Sequence, residues 1–197
     1  MYKRIPVKKL SGKEKFKNTG NKKFSVNDFW QYGFSNLSSN ITRGVLAEFI
    51  IENALKDSKK IELRNPWGDY DIEYKGKKIE VKCSSYIQDW DQEKLTRISW
   101  SGLKAKTLYW SSAVSKKLKE EKKSYKADIY ILSLLHHKEP KTLDILNMSQ
   151  WSFFVLSKKQ LKDISADANS LSLSTLEKKS VEFCKFEEIK DKVDSLL

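Results

Sequence analysis

The chain has 197 residues, 39% of them hydrophobic and 12% aromatic, which suits one ordinary domain with a real core, or one domain plus a tail. No 18-residue apolar run could span a bilayer, the opening MYKRIPVKKL lacks the apolar stretch of a secretory leader, and two cysteines, Cys83 and Cys184, make neither a disulfide framework nor a zinc site. A reducing cytoplasm is therefore the expected location. Of the net charge of +12, +8 falls in residues 1–23, where nine Lys or Arg face only Glu14, leaving +4 for the rest. A basic, flexible arm over residues 1–24 is expected, suited to a polyanion because each phosphate it neutralises releases condensed counterions.

In chain order, Ser25 with Asp28 three positions on is an acidic capping pattern and opens a first helix through FWQYGFSNL. A second helix is expected over 41–55, ITRGVLAEFIIENAL. Its apolar residues spread almost all round the wheel, the pattern of a buried helix. Glu48 and Glu52 share one edge of it, and a carboxylate on a buried helix needs a partner. Strands are expected at 60–64, 71–74, 78–84 and 97–100, and DIYILSLL (128–135) has the continuous apolar character of a strand buried on both faces. Shorter strands at 151–156 and 180–183, helices at 157–164 and 187–196, and a lysine-rich helix or loop at 115–126 complete the order. The whole reads as an α/β or α+β domain, a mixed sheet with helices.

The segment DYDIEYKGKKIEVK (69–82) carries the chemistry. Glu-x-Lys occurs seven times in this lysine-rich chain, so the tripeptide alone carries little information. At Glu80 the setting differs. Ile79, Val81 and Cys83 point to one face of a strand, and Glu80 and Lys82 to the other. Ile72 and Tyr74 continue the apolar face on the preceding strand, and Asp69, Asp71 and Glu73 the polar one. A loop at Lys75-Gly76 pairs Asp71 with Glu80 and Asp69 with Lys82; a loop at Gly76-Lys77 pairs Glu73 with Glu80 and Asp71 with Lys82. A three-residue loop would mix the faces unless a bulge restored them. Either two-residue register sets Glu80 against another carboxylate, which is unfavourable without compensation. A hard divalent cation or the flanking lysines could supply it.

With these residues in view, the chain resembles the PD-(D/E)XK phosphodiesterase superfamily, of restriction-endonuclease-like fold, in an uncharacterised bacterial branch. ITRGVLAEFI followed by GDYDIEYKGKKIEVKCSSY gives an acid-bearing helix, a strand Asp, a turn and a strand with Glu-x-Lys. The motif stretch covers 41–90, and DIYILSLLHH and QWSFFVLSKKQL extend a weaker likeness to about residue 163. The resemblance implies a mixed central sheet flanked by helices over 25–197. It implies that Asp71 and Glu80 hold Mg²⁺ (with Mn²⁺ able to substitute), that the Val81 carbonyl adds a ligand, and that Lys82 orients the attacking water. Glu48 would support the metal from the helix, as a ligand directly or through water. Tyr70 stands where the family's name places Pro; Asp69 is the rival for the strand Asp, and Gln88 a candidate polar contact. The implied activity is phosphodiester hydrolysis, as an endonuclease rather than an exonuclease, on DNA rather than RNA, compatible with a homodimer. The alternative is a protein of the same fold that binds nucleic acid or assembles with it without cutting. Outside the motif, His136 and His137 are expected at a strand end in surface or capping roles, Asp89 and Asp91 in a loop, Cys83 in the core and the six Trp mostly so, with Trp90 or Trp110 able to stack on bases.

Overall fold

The computed structural model describes residues 5–56, 63–66, 68–106 and 122–197. Contacts divide the chain into two units, Met1–Leu37 and Ser38–Leu197. In the first, Ser25 caps helix α1 (Val26–Phe34), and Asp28 reaches back to accept from the Ser25 N–H at 2.6 Å, the reciprocal box that the sequence predicts. The preceding chain folds onto this start: the Gly12 and Glu14 carbonyls accept from Asn27 and Val26, each at 2.9 Å, and the Phe16 and Phe24 rings lie 4.6 Å apart. No residue of α1 is buried.

The second unit is built on a four-stranded mixed sheet, β1 (Ile72–Tyr74), β2 (Lys77–Ser85), β4 (Ile129–Leu135) and β5 (Trp151–Ser157), in that spatial order. β2 pairs antiparallel with β1 and parallel with β4, and β4 pairs antiparallel with β5. A separate ladder joins β3 (Ser99–Ser101) to β6 (Ser170–Ser172). Helices α2 (Asn40–Leu55), α3 (Lys158–Ser165), α4 (Leu173–Lys178) and α5 (Ile189–Asp194) complete the described elements of this unit, apart from short 3-10 turns. The chain is α+β, as the sequence predicts.

Strand alternation explains the layering. Ile79 and Val81 of β2 with Ile129 and Ile131 of β4 face α2 and α5. Tyr130, Leu132 and Leu134 face the other way, onto Trp100 of β3, Leu161 of α3 and Leu176 of α4. β4, central and parallel to β2, therefore buries every residue, which is why its sequence is continuously apolar. Each fully buried Ile or Leu contributes roughly 1.5–3 kcal/mol.

Several expectations need correction. α2 is not buried all round: Ile41, Val45 and Phe49, four apart, are 82%, 37% and 53% exposed, while Ala47, Ile50, Ile51 and Leu55 pack on the sheet. The wheel contained two apolar stripes, and one sheet face covers only one. The strand expected at 180–183 is absent; only an isolated bridge, Phe153 to Cys184, joins this stretch to β5. Of the expected strand at 60–64, residues 60–62 lie outside the described ones and 63–64 are not extended into a ladder. β6 and α4 were not foreseen, because three-residue and six-residue elements leave too short a periodic signal. Trp100 and Trp151 are core, but Trp30 and Trp90 are exposed; Trp67, Trp110 and most of 115–126 lie outside the described residues.

The β1–β2 turn settles the register. Tyr74 pairs with Lys77 and Ile72 with Ile79, so the loop is Lys75-Gly76. Both loop residues have positive φ, +48° and +74°, the requirement of a type I′ turn whose twist matches the strands. No atom lies within 4 Å of where a Gly76 Cβ would stand, so its substitution is a pure backbone test. Gly76→Ala is expected to lower stability by about 1–2 kcal/mol in urea unfolding, with the denaturant slope unchanged. An unchanged midpoint would mean that this turn does not hold the hairpin.

Candidate active site

The register continued one step past Ile72 sets Asp71 beside Glu80. The Asp71 N–H still donates to the Ile79 carbonyl at 3.0 Å, but its side chain then replaces the ladder, Oδ2 accepting from the Val81 N–H at 2.8 Å. A strand residue's N–H and C=O point to the same edge, so the Val81 carbonyl also faces the side of β2 that β1 stops short of covering. Asp71, Glu80 and the Val81 peptide thus share one stretch of edge. Asp69 is half-buried two residues before.

Glu80 and Lys82 project from β2 onto the Tyr130–Leu132 face of the sheet, both half-buried, and pair through Oε1 and Nζ. Gly102, at φ +69°, passes the lysine stem; a Cβ there would sit 4.0 Å from Lys82 Cε. Burial first, then the negative charges of Glu80 and Glu48, together push the Asp71 carboxyl up to about 7, against the opposing pull of the Val81 N–H and Lys82. Burial, with Glu80 adding to it, also lifts Tyr130 to about 12. The site therefore holds more negative charge than its own cations offset.

Glu48 answers to a residue that the sequence reading did not single out. Arg64 takes it in a two-pronged pair, Nη2 to Oε1 at 2.7 Å and Nε to Oε2. The bond to Glu48 raises the arginine's pKa, and Asp71 lies near enough to add to it. The signal was present, since a carboxylate on a packed helix demands a cation. What could not be read was which one, 16 residues on. Glu52, on the same edge, pairs with Lys56 at 3.0 Å.

Gln88 sits in the loop after β2 with its amide engaged. Oε1 accepts from Arg43 Nη2 at 2.9 Å, and Nε2 donates to the Ser85 carbonyl at 2.8 Å and Thr96 Oγ1 at 3.1 Å. Arg43, buried near the start of α2, was also missed by sequence reasoning. Asp89 and Asp91 are exposed in the same loop. His136 is half-buried against Ser152, with Nδ1 2.9 Å from its Oγ, and His137 bonds Thr142 at 2.8 Å. Cys83 is half-buried and packs at the edge of the α2-side core.

Among the described residues no three Asp, Glu, His or Cys side chains converge on one point as a ready-made cage. Mg²⁺ does not require one: it takes one or two carboxylates and keeps several waters. Two adjacent carboxylates, one of which holds its proton up to about pH 7, are a donor set that such a cation fits. Asp71 and Glu80 are the residues that would hold it, with the Val81 carbonyl on the same edge. No helix among the described residues is long and apolar enough to cross a membrane. The chain matches no protein-family model, no curated protein and no solved structure.

Proposed function

We propose that this chain is a Mg²⁺-dependent nuclease of restriction-endonuclease-like type, hydrolysing phosphodiesters within DNA. The observation that carries the reading is the pairing of Asp71 with Glu80 on the uncovered edge of β2, with Lys82 one alternation farther on the same face. A bound cation would supply Lewis acidity to a phosphoryl oxygen and acidify a coordinated water. Asp71, fixed by the Val81 N–H, and Glu80 would position that charge. Lys82, on a flexible stem, would donate to the attacking water or to the oxygen on which charge develops. Glu48, clamped by Arg64, adds negative potential behind Asp71. Exposed Trp90, in the loop that follows β2, offers a face on which a base can stack, and the basic segment 1–23 a phosphate-binding surface. Two free thiols fit a reducing cytoplasm, and cutting both strands of a duplex would suit a homodimer.

A second reading has its own support. Glu48 is closed by Arg64 and Glu80 by Lys82, as in a protein that binds nucleic acid through this fold without cutting. Incubation of supercoiled plasmid, linear duplex, single-stranded DNA and RNA with Mg²⁺, Mn²⁺ or EDTA separates the two. The nuclease reading expects metal-dependent cutting of DNA by wild type, reduced at least 10²-fold or so in Lys82→Ala. Binding without cutting under every metal condition would leave the second reading standing.

A further inference from the structure

A second cleft lies away from the carboxylate edge and has no part in the mechanism above. It opens at the far end of the sheet face that carries Glu80 and Lys82. Tyr86, at its wall, is six residues beyond Glu80, about 20 Å at roughly 3.3 Å per residue. The cleft encloses about 830 Å³, within the few-hundred to roughly 1,000 Å³ typical of small-molecule sites.

Its lining combines aromatic rings, a cation and carboxylates. The floor is buried: Leu134, Phe154 and Ser152 are 4%, 4% and 5% exposed. Phe183, 55% exposed, meets Phe154 edge to face at 6.2 Å and stands at the mouth, so the floor and one lip are aromatic. Lys138, an exposed residue, places its Nζ 4.6 Å from the Tyr86 ring centre, a cation over the wall of the cleft. Glu177 and Glu182 line the cleft from different elements, α4 and the chain after it. At the floor the Ser152 hydroxyl and His136 Nδ1 pair at 2.9 Å, giving a buried polar point in an apolar bed. Burial, then His137 and Lys138, lower the His136 pKa, which keeps its ring neutral and able to accept as well as donate.

We propose that this cleft binds a nucleotide unit whose base carries an exocyclic amino group, such as adenosine monophosphate, free or at the end of a strand. The base lies against the exposed Phe183, its amino group donates to the carboxylates, and the phosphate meets Lys138. The assignment is independent of the nuclease reading. The cleft shares no named ligand with Asp71 or Glu80.

Calorimetric titration of the full chain in EDTA tests it. Adenosine monophosphate should bind, with adenosine and inosine monophosphate each about tenfold weaker or more, since one lacks the anion and the other the amino group. Lys138→Ala should bring adenosine monophosphate down to the affinity of adenosine, and Glu177→Gln with Glu182→Gln should erase the preference over inosine monophosphate. Phe183→Ser, at an exposed position that does not threaten folding, should weaken all three. Asp71→Asn should change none of these values, which separates this site from the carboxylate edge. A 5′-phosphorylated oligoadenylate that binds tighter with the same response to Lys138→Ala identifies a strand end as the source; one that fails to compete identifies the free nucleotide. Absence of binding at about 1 mM nucleotide, or binding indifferent to Lys138→Ala and Phe183→Ser, overturns the proposal.

Discussion

Asp71→Asn should abolish Mg²⁺-dependent cleavage while making the metal-free protein more stable above neutral pH. The amide keeps an oxygen for the Val81 N–H, so the hairpin geometry survives, but it removes a charge that Glu80 and Glu48 oppose. The sign of the pH effect follows from linkage. Asp71 holds its proton up to about pH 7 in the folded state and only to an ordinary carboxylate pKa when unfolded. Between those values the native state binds more protons, so this group's contribution to stability is complete at acid pH and is lost as pH rises to about 7. The variant lacks that loss. Its melting temperature in EDTA should exceed wild type most at pH 8, and the gap should narrow as pH falls toward 5. With Mg²⁺ the order reverses: wild type should gain stability from the metal, increasingly so as pH rises through 7 and the carboxyl empties, and Asp71→Asn should gain little. The cutting rate should fall by about 10³-fold or more, the several kcal/mol expected for a lost metal ligand. An Asn variant that cuts, or that is destabilised at pH 8 without metal, would remove Asp71 from the centre of the site.

The largest stability loss from a single polar side chain is expected at Arg43. The residue is 4% exposed, and its acceptors are neutral: the Ser38 carbonyl at 2.6 Å, the Asn40 amide oxygen and Gln88 Oε1. Cys83 lies beside it, but burial pushes that thiol up to about 12, so it supplies no anion. Two effects compete on replacement by Met. Removing a buried charge that has no carboxylate partner among the described residues relieves its desolvation, whereas each acceptor left buried without a donor costs about 1–3 kcal/mol. Ser38 and Asn40 are open enough for water to replace the arginine; Gln88 is tied on its other side to Ser85 and Thr96 and cannot turn away. The second effect therefore wins, and Arg43→Met should cost about 2–3 kcal/mol in urea unfolding. Arg43→Lys should do no better, since one ammonium cannot span three carbonyls in different directions. Joining Arg43→Met to Gln88→Leu should recover about 1–2 kcal/mol of the summed losses, the coupling of two groups in direct contact. Additive losses would show that the pair does not act together.

The sequence was most legible where side-chain alternation and turn chemistry were both strong. DIYILSLL had the continuous apolar character of a strand covered on both faces, and Gly76 left two unbulged registers for the hairpin. Choosing between those registers was beyond local reasoning, because Lys75 must adopt a positive φ that its identity does not advertise. α2 shows the opposite failure. Its limits were read almost to the residue, but which apolar stripe would find the sheet depends on how the helix is rotated against β2. The charged residues divided in the same way. Asp71, Glu80 and Lys82 lie within twelve residues, so strand geometry alone places them together. Arg64 and Gln88 reach their partners across 16 and 45 residues, through chain whose path no periodicity encodes.

The parallel pairing of β2 with β4 sets an order of events during synthesis. The hairpin of β1 and β2 closes over two residues, but Ile79 finds its neighbour Ile129 only fifty residues later. Until β4 leaves the ribosome, one long side of β2 has no strand to pair with, and loop closure of that span is the slow step that local contacts cannot shorten. A nascent chain would thus carry its two carboxylates, already adjacent, on a ribbon with no sheet behind it. The proposed chemistry, which depends on holding them still, would begin only when the second half of the protein has been made.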